Sequence, residues 1–237
     1  MNKLILTTAA FALTAGMSFA DTVRMGTEGA YKPYNYINDD GELDGFEIHL
    51  GDELCKRAGL TCEWVKNDWD SIIPNLVSGN YDTIIAGMSI TDERDEVIDF
   101  TDPYTQPDPS AYMALSADVN LDGAVIAAQT NTIQSGFVAA SGGTLVEFAT
   151  ADETVAAVRS GEADAVLADL NYLLPIADAD AGLVLLAQQE MIGGGVGMGI
   201  RESDGELRAK FNTAIQSMKA DGSLNALIAE WGVGEQF

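Results

Sequence analysis

Residues Tyr81 to Arg94 read YDTIIAGMSITDER. The first half is apolar and β-branched, the pattern of a buried strand, and the run then turns polar through Gly87, Ser89 and Thr91 before it reaches Arg94. In open α/β sheets, ligands sit outside the carboxyl ends of strands. An arginine a few residues past such an end is either a solvated helix residue in the TDER segment or an anchor for an anion. The rest of the chain sharpens that choice: 12 Lys and Arg stand against 37 Asp and Glu, a formal net charge of -25.

That balance argues against nucleic acid and against anionic membrane surfaces, both of which repel a polyanion. It suits solubility in a salty or extracytoplasmic setting and mildly favours cationic partners. With 237 residues, 47% of them hydrophobic, the chain has material for one large domain or two small ones with a real core. The first twenty residues, MNKLILTTAAFALTAGMSFA, read as a secretory signal peptide. Lys3 is the positive start, Leu4 to Ala15 the apolar run, and Ser18-Phe19-Ala20 the small-x-small site. Cleavage after Ala20 and a periplasmic location are expected. The apolar run is short for a membrane anchor, and no cysteine marks a lipoprotein. Export makes the cysteines readable: Cys55 and Cys62, in ELCKRAGLTC, are expected to form a local disulfide. A metal or redox pair is the alternative, but no CxxC is present and His49 is the only histidine.

Strands and helices then alternate. VRMGT reads as a strand, YNYINDDGELDGFE as a hairpin turning at Asp40-Gly41, and IHLGDELCKRAG as a helix stopped by Gly59. CEWVK is a strand. DWDSIIPNLVSG is a short helix whose Ile72, Ile73, Leu76 and Val77 form one apolar face. A second set follows Ala124: AVIAAQ, TLVEFA and ADAVLAD as strands, NTIQSGFVAAS, ADETVAAVRSG and NYLLPIADA as helices, and two helices after Gly205. The alternation predicts an α/β protein with two parallel-sheet units. FTDPYTQPDPSAYMALSAD, rich in proline, and IGGGVGMGI, rich in glycine, read as crossings between two lobes. The glycines do not fit the GxGxxG spacing of a nucleotide loop.

No motif for nucleophilic or metal-assisted catalysis is found: no GxSxG, no HExxH and no Cys/His pair. The acidic stretch Asp178 to Gly182 lacks the downstream ligands of a calcium loop. What remains is polar groups at strand ends. Gln129 to Gln134, QTNTIQ, opens a helix whose free N–H groups favour an anion. Asp169 closes another strand, where it is a ligand for a cation or a cap for the next helix. An arginine fork, helix N–H groups and a separate carboxylate together suit a zwitterion, the backbone of an amino acid.

The runs GTEGAYKPYNY, DGELDGFEIHLGDELCKR, DWDSIIPNL, YDTIIAGMSITDER, IDFTDPY, GEADAVLAD, GVGMGIR and MKADGSL, with the cysteine spacing, resemble the periplasmic solute-binding proteins of polar amino-acid ABC transporters. Within these the chain is most similar to the lysine/arginine/ornithine- and histidine-binding group. The resemblance covers nearly the whole mature chain. It implies a two-lobed Venus-flytrap fold without enzymatic activity or cofactor, a monomer that delivers an amino acid to a membrane permease. Lobe one would span 21–109 and 194–237, and lobe two 110–193. By the same resemblance, Arg94 grips the α-carboxylate, helped by the N–H groups of Ser89, Thr132 and Ile133, with Gln134 beside them. Asp169 takes the α-ammonium with the Ser89 hydroxyl and the Gly87 carbonyl. Tyr31 and Trp69 sandwich the side chain, and Glu28 meets its far end. Asn131-Thr132-Ile133 departs from the group's Gly-Thr-Thr, Ala86 and Gly87 replace serines, and His49 replaces an acid and is expected on the surface. Glu28, the aromatic pair and the acidic field favour a cation: arginine, lysine, ornithine, histidine or an opine. The rival of another class is a cyclohexadienyl-type dehydratase on the same fold.

Overall fold

A computed structural model describes residues 22–237; the leader peptide expected over residues 1–20 lies outside them. In chain order come β1 (Val23–Thr27), β2 (Ala30–Tyr31), β3 (Asn35–Ile37), β4 (Leu43–Asp44), α1 (Phe46–Ala58), β5 (Cys62–Lys66), α2 (Ile72–Val77), β6 (Thr83–Ile84), α3 (Asp92–Asp95) and β7 (Asp99–Phe100). Then follow β8 (Ser110–Ala114), β9 (Val125–Gln129), α4 (Ile133–Ser141), β10 (Thr144–Phe148), α5 (Ala151–Ser160), β11 (Ala165–Asp169), α6 (Leu170–Ala179) and β12 (Val184–Glu190). The chain closes with β13 (Gly199–Ile200), α7 (Gly205–Asp221) and α8 (Ser223–Trp231).

Two five-stranded sheets organise the molecule, in the orders β5-β1-β6-β13-β7 and β10-β9-β11-β8-β12, with β2-β3-β4 as a small third sheet. The sheets are mixed, not parallel as the strand–helix alternation predicts. β1 runs parallel to β5 and β6, and β9 parallel to β10 and β11. β13 runs antiparallel to β6 and β7, and β8 antiparallel to β11 and β12. The exceptions have one cause. β8 and β13 are the strands that follow the two crossings, so each enters its sheet from the other sheet and not through a local βαβ connection. The crossings lie side by side: Tyr104 N–H donates to the Val196 carbonyl at 2.8 Å, and Val196 N–H to Thr105 Oγ1 at 3.1 Å. Gly195 permits this approach, since a Cβ there would stand 2.8 Å from the Thr105 carbonyl oxygen.

Local chemistry explains the elements that aim the site. α1 buries Phe46, Leu50 and Leu54 on one face and stops at Gly59, whose φ of 66° few side chains tolerate. Trp69 to Ser71 form a single 3-10 turn ahead of α2. In α2, Ile72 and Leu76 are buried as the apolar spacing predicts, but Val77 is 52% exposed, because five positions on from Ile72 lies about 140° round the helix. Cys55 and Cys62 are joined, tying α1 to β5. Closing so short a loop contributes about 2.5 kcal/mol in the chain-entropy model. Reduction should therefore lower the unfolding free energy by about that amount, as read from denaturant melts with and without a phosphine reductant. Unchanged stability on full reduction would show that α1 and β5 hold together without the bond.

Candidate ligand-binding site

Four strand ends converge on one cavity. Glu28 follows β1, and Tyr31 is in β2. Ala86, Gly87, Ser89 and Arg94 follow β6, Gln129 ends β9, and Asp169 ends β11. Thr132, Ile133 and Gln134 open α4, and Trp69 opens the turn before α2. All ten residues singled out in the sequence line the same cavity. Ala86 and Gln129 line it as well. Gln129 opens the QTNTIQ stretch, but the sequence reading gives it no contact of its own; its position as the last residue of a strand is the available signal.

Arg94 sits in the four-residue α3, capped by the Thr91 hydroxyl, which accepts from the Arg94 N–H at 3.2 Å. Its guanidinium donates to the Ser89 carbonyl at 2.8 Å and, at 3.4 Å, to that of Asn131, and lies 5.4 Å from the Trp69 ring centroid. The chain has six arginines, all described. Arg24, Arg57, Arg159, Arg201 and Arg208 each pair with a carboxylate, and Arg94 pairs with none among the described residues. Burial pulls its pKa down to about 10, against the pull of Asp169 and Glu93. Asn131, the residue whose carbonyl it meets, holds a φ of 56°, a backbone state that Asn tolerates better than most.

Asp169 precedes α6 but makes no capping bond with its side chain. It accepts instead from the Tyr31 hydroxyl at 2.7 Å and from Gln134 Nε2 at 2.8 Å. Burial raises its pKa, and those two donors and the nearby Arg94 oppose the rise. Tyr31 stacks on Tyr172 with centroids 4.4 Å apart and planes at 7°. One ring face is thus taken, and a ligand would meet only the other. Glu28 is 5% exposed and accepts from Gln129 Nε2 at 2.7 Å. Burial pushes its pKa up to about 7; Gln129 and Lys66 pull it down, while Asp68 and Asp152 push it up. The Thr132 hydroxyl caps α4, accepting from Ser135 N–H at 3.1 Å. The remaining first-turn N–H groups of α4 have no helical acceptor and suit an anion.

One buried group behind the cavity went unread in the sequence. Glu47, in the first turn of α1, is wholly buried and accepts from the Gly87 N–H. An acid at that position reads as a solvated complement to the helix dipole. His49, by contrast, is exposed and lies 3.1 Å from Asp44. Among the described residues, no cluster of three or more His, Cys, Asp or Glu is arranged to hold a metal, and no helix is long and apolar enough to cross a membrane.

The fold is two mixed sheets, and the cavity is lined by residues from both of them. Residues 23–234 match the family of bacterial extracellular solute-binding proteins, family 3. The histidine-binding periplasmic protein of Escherichia coli strain K12 is 32% identical over 98% of this chain and 97% of its own length. The lysine/arginine/ornithine-binding periplasmic protein of the same strain is 30% identical over 92% of this chain and 91% of its own. Among solved structures, a periplasmic His/Glu/Gln/Arg/opine family-binding protein from Silicibacter pomeroyi, in complex with lysine, is 70% identical with a TM-score of 0.87, over 89% of this chain and 96% of that one. The chain belongs to family 3 of the bacterial extracellular solute-binding proteins. It has their two-lobed fold and is a binding protein, not a dehydratase.

Glu28 gives the cavity a measurable titration. Its raised pKa means that, between about 4.5 and about 7, the folded chain holds a proton that the unfolded chain releases. This group therefore favours the folded state more as pH falls through 7 towards 4.5, and less as pH rises. Side-chain carboxyl NMR of the ligand-free protein should show Glu28 titrating near 7. Gln129→Leu removes a donor to the carboxylate and should move the midpoint higher. A midpoint in the ordinary carboxylate range would contradict the burial of this group.

Proposed function

We propose that this protein is the periplasmic receptor of an amino-acid ABC importer and that its ligand is a free amino acid with a cationic side chain. The observation that carries the reading is a charge count. The cavity holds one cation, Arg94, and two carboxylates, Asp169 and Glu28, with no ion pair among the three. An amino acid with a cationic side chain brings the complementary set of one negative and two positive groups. Its carboxylate goes to the planar fork of Arg94, which suits two parallel hydrogen bonds, and to the N–H groups of Ser89, Thr132 and Ile133. The α-ammonium goes to Asp169, the Ser89 hydroxyl and the Gly87 carbonyl. The side chain crosses the open face of Tyr31 and the Trp69 ring, and its cation meets Glu28. Gln134 holds Asp169 in place.

Lysine is the first ligand to test, because the structure with 70% identity holds lysine. Relatives named for histidine and for lysine, arginine and ornithine support the same class. The lobes of this reading are 21–109 with 194–237, and 110–193. They close on the ligand as a monomer and present it to the permease. A signal peptide cleaved after Ala20 takes the chain to the periplasm.

Calorimetry against all amino acids and common opines tests the class: cationic ligands should bind, and aspartate and glutamate should not. Tighter binding of neutral or acidic amino acids would defeat the reading. Arg94→Ala strands a desolvated carboxylate and should cost about 2–5 kcal/mol with the fold intact; near wild-type affinity would remove Arg94 from the site. Glu28→Gln should weaken lysine by about 1–3 kcal/mol, the range for a hydrogen bond to a charged group. A bound cation favours ionised Glu28, so binding releases a proton below about pH 7. Lysine affinity should then fall between pH 8 and pH 5, and Glu28→Gln should flatten that profile. The same slope in the variant would assign the pH dependence to another group.

A further inference from the structure

Glu47 lies behind the cavity and meets one residue assigned to the ligand, Gly87, through its backbone N–H. Its two oxygens meet three donors from three parts of the chain. Oε1 accepts from the Gly87 N–H at 2.7 Å and from the Tyr104 hydroxyl, and Oε2 accepts from Asn35 Nδ2 at 2.7 Å. Asn35 is itself fully buried, and its Oδ1 accepts from the Gly29 N–H at 2.7 Å. Gly29 lies between Glu28 and Tyr31. Tyr104 belongs to the first crossing, and its N–H is bonded to Val196 in the second. Gly87 and Gly29 both hold left-handed backbone, with φ of 61° and 71°.

We propose that Glu47 is a positioning residue for the binding site: its carboxylate holds the Gly87 peptide and, through Asn35, the Glu28–Tyr31 turn in one register with both crossings. The proposal rests on the reading of the cavity as an amino-acid site and adds a residue outside its lining. The donor pattern makes a carboxylate necessary. Both oxygens face N–H donors, so an amide at this position sets an N–H against either Gly87 or Asn35. Turning the Asn35 amide over to relieve the second clash sets its NH2 against the Gly29 N–H. A buried donor left without an acceptor is costly, and the backbone that carries Glu28, Tyr31 and Gly87 must shift to relieve it.

The same geometry defines a rescue. With Glu47→Gln and Asn35→Asp together, the new amide accepts from Gly87 and Tyr104 and donates to the new carboxylate, which accepts from Gly29. Every bond is restored, with donor and acceptor exchanged only between positions 35 and 47. Calorimetry with lysine on the full mature chain should show either single variant weakened by about tenfold or more, and the double variant within about threefold of wild type. Amide hydrogen exchange on the ligand-free proteins supplies a readout that needs no ligand. Gly29 and Gly87 should lose protection in each single variant and regain it in the double one. Wild-type affinity and protection in folded Glu47→Gln overturn the proposal, and so does a folded double variant that recovers neither. If Glu47→Gln alone does not fold, recovery of folding on adding Asn35→Asp is the same rescue, and its failure is the same refutation. If the wild-type chain binds no amino acid, the functional reading falls while the exchange experiment still decides the role of Glu47.

Discussion

A guanidinium stands in the cleft of this protein without a carboxylate partner, in a chain whose net charge is -25. Taking a cation out of water without a counter-charge is costly. Arg94 meets that cost in part with two backbone carbonyls and the face of Trp69. Asp169, the opposite charge across the cavity, is kept from collapsing onto it, because Tyr31 and Gln134 hold its two oxygens. On the proposed reading, two complementary charges held apart, each braced by neutral neighbours, are organised in advance for the two ends of a zwitterion. Such preorganisation lowers the ordering cost of binding.

The bracing contacts join the two sheets. Tyr31 follows the first sheet's β1, and Asp169 ends β11 of the second; their bond spans 138 positions in sequence. Glu28 and Gln129 make a second such contact, Arg94 and the Asn131 carbonyl a third, and the Tyr31–Tyr172 stack a fourth. The groups that would hold a ligand are therefore the groups that hold the two halves together. On the proposed reading, recognition and closure are one set of contacts. The paired crossings, bonded to each other through Tyr104, Thr105 and Val196, form the short connection about which the halves are set.

Much of this was legible in the residues. α1 is marked by its apolar spacing and the stop at Gly59, and the strand ends by the change from apolar to polar at Gly87, Gln129 and Asp169. β8 was hidden for a physical reason. Prolines at 103, 107 and 109 dominate its approach, and all five of its residues are buried, so the alternation of a half-exposed strand is absent. The antiparallel members of each sheet went unread for a related reason: local patterning reports a strand but not the direction from which the chain enters the sheet. Glu47 was hidden because an acid in the first turn of a helix looks ordinary until its three donors, distant in sequence, are brought together. Asp169 was ambiguous between ligand and cap, and only the side-chain direction separates the two.

The most direct measurement is a crystal structure of the mature chain with lysine bound. The account predicts the lysine carboxylate on the Arg94 fork and the α4 N-terminus, the α-ammonium on Asp169, and the side-chain ammonium on Glu28 beside Gln129. Lysine bound with its backbone reversed, or with Glu28 still paired only to Gln129 and the side chain directed elsewhere, would contradict it.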